Sequence, residues 1–381
     1  MLYQRKIFTR IKKKLFKGKA VLIYGARQVG KTTLVKALMR EYPASKSLYL
    51  NADEYDVQSA FEEAKNFTEL KSLIGSSDLV VIDEAQRIRD IGLKLKILVD
   101  NLTDTQIIAT GSSSFDLANI VNEPLTGRSY SFTLYPLSIT ELSDNSLELS
   151  RNMKHALKYG LYPGIYNLAA EDIRDALNEI TEQYLFKDLL SVSGIKKSDY
   201  LIKLLRLLAY QISSTISYNE IATVLGLDQA TVIKYIDILE KSFVIFRLGS
   251  FSQNLRNEIK KNQKIYFYDL GIRNSLINDF NDLDLRADIG QLWENFAIIE
   301  RVKSNYYQGY NPSYYFWRNY DKQEIDLVED WGREKDLQCF EFKYRPGAKY
   351  RFPKTFSEKY MDAKKFIIDT KSFIGTGFVG D

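Results

Sequence analysis

Cysteine and histidine are almost missing from this sequence. One Cys (Cys339) and one His (His155) stand among 381 residues, which excludes a disulfide within the chain and a Cys/His zinc site built from a single copy. That usage fits a reducing compartment, and the cytoplasm is the expected location. No apolar run approaches the roughly 20 residues that a membrane-spanning helix needs. Internal repeats and low-complexity segments are also absent. What is present is globular in character: 45% hydrophobic and 27% charged residues, with 26 Tyr and 21 Phe to fill cores. The length of 381 residues predicts two or three domains.

The net charge of +4 is mild but unevenly spread. Residues 1–19 carry eight Lys or Arg (Arg5, Lys6, Arg10, Lys12, Lys13, Lys14, Lys17, Lys19) and no acid. A transit peptide has this composition. Ile7, Phe8, Ile11 and Leu15, however, recur at helical spacing and lead directly into an apolar strand. A basic helix over 1–18, packed on the domain that follows, is the expectation, and its polar face could meet nucleic-acid phosphates.

The strongest motif is Gly25-Ala26-Arg27-Gln28-Val29-Gly30-Lys31-Thr32, which fits G-x-x-x-x-G-K-[ST] without a mismatch. The apolar run Ala20–Tyr24 precedes it and a helical pattern beginning near Lys31 follows, the strand-loop-helix context the motif requires. Gly25 and Gly30 let the backbone curl so that successive N–H groups turn inward on phosphate oxygens. The helix start adds its positive end. Gly25, Ala26, Arg27, Gln28, Val29, Gly30, Lys31, Thr32 and Thr33 are therefore the candidate ATP-binding residues. Lys31 is expected on the β- and γ-phosphates and Thr32 on Mg²⁺.

A second strand, Leu79–Ile82, ends in Asp83-Glu84. A buried parallel strand delivers acids to the ligand edge of an open sheet in this way. Asp83 is the candidate magnesium ligand with Thr32, and Glu84 the group that polarises the attacking water. A third strand, Gln106–Thr110, ends in Gly111-Ser112, and Ser112 could sense the γ-phosphate or orient the water, though Ser and Gly are also common in turns. Arg128, just before the strand Tyr130–Leu134, is either an arginine finger, worth ~10³–10⁵ in turnover where one operates, or half of a surface ion pair.

Alternating strands and helices over 19–142 predict a parallel-sheet ATPase domain. Residues 143–198 read as a helical lid or linker, broken by the turn at Tyr162-Pro163-Gly164. Residues 199–251 follow a winged helix-turn-helix pattern: a helix ending at Gly226, then a helix opened by Asp228 as N-cap, then the wing strand Phe243–Leu248. Lys203 to Lys264 holds nine Lys/Arg against five Asp/Glu, a small excess for a DNA reader. Over 252–381 a helix containing Glu294 precedes strands holding Asp326 and Glu341-x-Lys343. Glu341 and Lys343, two apart on a strand, share a face. Glu294, Asp326 and Glu341 are the candidate ligands of a second Mg²⁺ or Mn²⁺, with Lys343 activating a water for phosphodiester hydrolysis. A solvated, charged hairpin would show the same pattern.

Taken together, these residues resemble a prokaryotic family of AAA+-like P-loop ATPases that carry a C-terminal domain of unknown function. The resemblance rests on the phosphate loop, Val80–Arg87, Thr110–Ser113, Thr126–Arg128, Leu134–Ser138, Tyr162–Gly164, Glu294-Asn295 and the Asp326/Glu341/Lys343 set. It implies an α/β chain with a parallel-sheet P-loop core, a helical/winged-helix domain and an α/β restriction-endonuclease-like module. It further implies ATP binding and hydrolysis, with ATP and Mg²⁺ as cofactors. The winged-helix and nuclease-like patterns make double-stranded DNA the expected partner, with protein partners and further copies of the chain as the alternatives.

Overall fold

The computed structural model describes residues 3–112, 125–182, 198–251, 263–332, 337–375 and 378. Two compact units result, Met1–Pro136 with Lys241–Phe243, and Leu137–Glu240 with Val244–Asp381.

In the first unit the strands β1 (Ala20–Tyr24), β2 (Ser47–Asn51), β3 (Leu79–Asp83), β4 (Gln106–Gly111) and β5 (Ser129–Thr133) form one sheet in the order β2-β3-β4-β1-β5. Every pairing is parallel. β1, β3 and β4 are buried along their whole length, as continuous apolar runs covered on both faces must be. Because β4 lies between β1 and β3, the carboxyl ends of all three open side by side. The helices α1 (Ile7–Lys12), α2 (Lys31–Met39), α3 (Tyr55–Glu63), α4 (Phe67–Ile74) and α5 (Ile91–Asn101) complete the unit.

The basic segment is anchored by its apolar stripe. Ile7 and Ile11 are fully buried and Leu15 nearly so, each contributing about 1.5–3 kcal/mol of burial. Several of its cations are engaged within the unit. Lys12 pairs with Glu41, and Lys14 and Lys19 lie 4.9 and 5.1 Å from the Tyr130 ring. Arg5 is turned inward and buried.

In the second unit α6 (Ser146–Tyr159), α7 (Ala170–Ile180), α8 (Ser198–Tyr210), α9 (Tyr218–Leu225) and α10 (Gln229–Lys241) come first in sequence. Gly226 ends α9 in a left-handed conformation, φ 64°, and the Asp228 carboxylate accepts from Thr231 N–H at 2.8 Å as a start to α10. The strands β6 (Thr215–Ile216), β7 (Ile245–Ser250), β8 (Gln263–Phe267), β9 (Ser313–Arg318), β10 (Glu324–Asp330), β11 (Leu337–Lys343) and β12 (Lys364–Asp369) form a seven-stranded sheet, β12-β11-β10-β9-β7-β8-β6. β7 pairs antiparallel with β8 and parallel with β9. One sheet therefore spans the domain boundary expected at 251, because the strand read as a wing has edge hydrogen bonds to satisfy on both sides. The helices α11 (Leu270–Leu276), α12 (Ile289–Gln308), α13 (Lys354–Lys359) and α14 (Ser372–Gly375) follow or flank these strands in sequence.

Candidate active site

The loop after β1 is shaped by positive φ angles at Gly25 (156°), Gln28 (59°) and Gly30 (96°). Gly25 is required for space as well as for angle: a Cβ there would stand 2.2 Å from the Leu134 carbonyl oxygen. Gly30 is the N-terminal cap residue of α2, so the helix begins with Lys31 and its first N–H groups have no partner within the helix. The Lys31 side chain is almost fully buried. Its Nζ donates to the carbonyl oxygens of Gly25 and Ala26, both at 3.0 Å, and lies 3.9 Å from Glu84 Oε1.

Asp83 ends β3 and gathers three hydroxyls. Thr32 Oγ1 donates to its Oδ2 at 2.6 Å, Tyr49 OH donates to the same oxygen at 2.6 Å, and Thr110 Oγ1 donates to its Oδ1. Burial and the Asp83 carboxylate push the Tyr49 hydroxyl well above its ordinary pKa, so it stays a donor. Glu84 adopts a left-handed backbone, φ 52°, a conformation that is costly for a side chain with a Cβ and is found where function demands it. Its N–H donates to Thr110 Oγ1 at 3.1 Å. Gln86 Nε2 bridges Glu84 Oε2 (2.6 Å) and Ser112 Oγ (3.0 Å), which brings Ser112 beside Glu84. Lys31, Thr32, Asp83, Glu84 and Ser112 therefore converge.

Arg128 does not join them. Its carbonyl accepts from Ala20 N–H, at the start of β1, whereas Gly25 follows the end of that strand. Its Nε is held by Asp100 in a half-exposed ion pair. Within one chain Arg128 thus lies at the end of β1 away from the loop, in the surface ion pair that was its alternative reading.

Sequence reasoning passed over Tyr49, Thr110, Gln86 and Arg5. Thr110 alone carried a local signal, as a hydroxyl at the mouth of a buried strand.

The C-terminal set is built differently from expectation. Glu341 and Lys343 share a face of β11, with Lys343 Nζ 2.7 Å from Glu341 Oε1. Asp326 lies within an irregularity of the β9–β10 register between Ile325 and Val328, and its Oδ2 accepts from Phe342 N–H at 2.9 Å. Lys264, from β8, is buried and reaches into the carboxylates: its Nζ lies 2.9 Å from Glu294, 2.5 Å from Glu324 and 4.0 Å from Asp326. Burial alone would lower the Lys264 pKa, but Glu294, Asp326 and Glu324 raise it overall. Burial first, then Asp326, pushes Glu294 to about 7 and Glu341 to about 8, with Lys264 and Lys343 opposing. Among the described residues no group of three or more Asp, Glu, His or Cys is arranged to hold a metal ion. Where a metal ion was expected beside Glu294, Asp326 and Glu341, the Lys264 ammonium lies against Glu294, Glu324 and Asp326.

On the helix read as DNA-contacting, Gln229, Ala230, Lys234 and Lys241 are exposed. Arg247 on β7 is bound to Asp237 at 2.7 Å and to Glu240 of that same helix. Both acids of that helix are thereby engaged by one guanidinium.

Comparison with known proteins gives three matched regions. Residues 17–143 match the family described as an AAA domain. Two domains of unknown function follow, DUF8612 over 150–283 and DUF4143 over 289–374. Lys31, Thr32, Asp83, Glu84 and Ser112 all fall within the residues matched to the AAA domain, whereas Arg5 precedes them. An uncharacterized protein of Mycobacterium tuberculosis is 27% identical over 337 residues, spanning 87% of this chain and 73% of its own. Another from Methanocaldococcus jannaschii is 26% identical over 336 residues, spanning 78% and 71%. Among solved structures, Aeropyrum pernix ORC1 in complex with DNA aligns at TM-score 0.34 and 15% identity, covering 73% of this chain and 93% of that one. Cdc6p of Pyrobaculum aerophilum aligns at TM-score 0.28 and 14% identity, covering 72% and 92%. No helix among the described residues is long and apolar enough to cross a membrane.

Proposed function

We propose that the AAA-type domain binds and hydrolyses ATP with Mg²⁺, and that its nucleotide state controls the C-terminal region in an action on DNA. The observation that carries the nucleotide reading is the 2.6 Å hydrogen bond between Thr32 and Asp83. A loop hydroxyl and a strand-end carboxylate meet where a hard cation takes oxygen ligands, and the residues present fit that group. Bound magnesium would neutralise triphosphate charge and orient its oxygens. The chain's own contributions follow from the geometry. The N–H groups at the start of α2 grip phosphate oxygens, and the Lys31 ammonium exchanges loop carbonyls for them. The Glu84 carboxylate accepts the proton of the attacking water, while Gln86 and Ser112 hold that carboxylate in place.

Calorimetry of the full chain with Mg-ATP tests this reading. Heat of binding is expected for the unaltered chain and its loss for Lys31→Ala; no heat from the unaltered chain sinks the proposal.

A second reading is favoured by Lys264. If its ammonium permanently compensates the acidic cluster, the nuclease-like fold is catalytically inactive and the chain is an ATP-dependent switch for protein partners. Incubating the chain with plasmid DNA and Mg²⁺ or Mn²⁺, with and without ATP, separates the two. Nicking that Asp326→Ala abolishes supports a nuclease; intact plasmid in every arm supports the switch.

A further inference from the structure

Arg5 is not part of the phosphate-loop motif, yet it touches the loop. Its guanidinium donates through Nη1 to the Val29 carbonyl at 2.7 Å and through Nη2 to the Tyr135 carbonyl at 2.6 Å. The residue is only 8% exposed, so these are buried, charge-assisted bonds rather than a surface contact. The backbone that carries Arg5 is itself fixed: Phe8 N–H closes on the Arg5 carbonyl at 3.0 Å, and α1 is seated by Ile7 and Ile11, both fully buried.

The consequence lies in the Val29–Gly30 peptide. No cis peptide bond is present among the described residues, and in a trans peptide the C=O and the next N–H point in opposite directions. Holding the Val29 oxygen on Arg5 therefore fixes the direction of the Gly30 N–H, a donor at the mouth of α2. Gly30, at φ 96°, has the backbone freedom to lose that direction once the carbonyl is released. The second bond matters as well. Tyr135 follows Leu134, whose N–H donates to the Tyr24 carbonyl at 2.7 Å and whose oxygen is the atom a Cβ on Gly25 would strike. One guanidinium thus joins the end of the loop to the segment that closes over its beginning.

We propose that Arg5 is a positioning residue for phosphate binding, and that residues 3–12 form a working strap of the nucleotide site. This rests on the ATP-binding reading above. A forked donor is needed because two carbonyls from different segments are held at once; a lysine ammonium can serve them only with poorer geometry.

The test uses the full chain with Mg²⁺ and compares Arg5→Met, which keeps the apolar stem, with Arg5→Lys and Lys31→Ala. ATP affinity by calorimetry and melting temperature are read together. Arg5→Met is expected to weaken ATP binding by ~10–100-fold, the scale of hydrogen bonds to a charged group, and Arg5→Lys to recover part of it. In steady-state hydrolysis the rise should appear in KM for ATP more than in kcat. Millimolar guanidinium ion should restore affinity to Arg5→Ala, whereas an equal concentration of sodium chloride should not. ATP affinity at the unaltered level in Arg5→Met, with Lys31→Ala still defective, overturns the role of Arg5 and leaves the site intact. Affinity and melting temperature falling together, with no recovery in Arg5→Lys and no guanidinium rescue, overturns it also, as a purely structural role. No binding by the unaltered chain overturns the nucleotide reading itself.

Discussion

Tyr49 donates its hydroxyl to the same Asp83 oxygen that Thr32 holds, at 2.6 Å from each. The phenol reaches the acid from β2, on the far side from the loop, and Lys36 caps its ring at 4.9 Å. It can keep Asp83 aimed when Thr32 turns to a metal ion. Tyr49→Phe is expected to raise the Mg²⁺ concentration needed for half-maximal ATP hydrolysis by ~10-fold, as loss of a partner that orients a metal ligand does. A magnesium titration checks this, and an unchanged midpoint removes Tyr49 from the site.

Glu84 is held by Gln86 and faces Lys31. Glu84→Gln preserves the shape and removes the base, so ATP binding should persist while turnover falls by ~10²–10⁴-fold. Single-turnover hydrolysis beside equilibrium binding measures both. Undiminished hydrolysis would assign the base elsewhere.

Gly25 cannot carry a side chain without displacing the Leu134 carbonyl, since the nearest approach would be 2.2 Å. Backbone offers no rotamer to give way. Gly25→Ala should therefore cost about 1–3 kcal/mol or more and abolish ATP binding, read by urea unfolding and calorimetry. A variant with unaltered stability would show that the loop has more slack than its geometry allows.

Lys264 faces Glu294, Glu324 and Asp326 from a buried position. Lys264→Met leaves those carboxylates uncompensated and should destabilise the chain by about 3–5 kcal/mol. Mn²⁺ or Mg²⁺ should then raise the melting temperature of the variant more than that of the unaltered chain. Equal shifts in the two proteins would mean that the ammonium does not stand where a metal could.

The same cluster gives stability a pH dependence. Glu294 titrates at about 7 and Glu341 at about 8, against 4.5 for an ordinary glutamate. A carboxyl group with a raised folded-state pKa binds its proton more tightly when folded. Its stabilising contribution is complete below the unfolded value and is lost as pH rises through the folded one. The urea midpoint is expected to fall between about pH 5 and about pH 8.5, and Glu341→Gln, which stays neutral, should flatten part of that fall. A midpoint that rises over this range contradicts the assignment.

The legible and illegible parts of the site differ in kind. Gly25 to Thr32 could be read because the shape of the loop is set by consecutive residues. Asp83-Glu84 could be placed because a buried parallel strand ends at the ligand edge of its sheet. Arg5, Tyr49 and Lys264 could not. Their partners lie 24, 34 and 30 residues away, and an arginine in a basic run or a tyrosine in a strand has no local mark of such a role. Arg128 shows the converse: a sound local pattern lying at the wrong end of a parallel strand.

Sequence alone settled that a glycine-curled loop runs from a buried strand into a helix, because local backbone freedom and apolar periodicity are properties of neighbouring residues. Strand order was a tertiary decision. By inserting β4 between β1 and β3 it set Thr110 against Asp83, and the parallel pairing of β5 with β1 put Arg128 at the end of β1 away from the loop. Packing likewise chose an ammonium, that of Lys264, to balance buried carboxylates, since charge compensation in a low-dielectric interior depends on what is near in space and not on what is near in the chain.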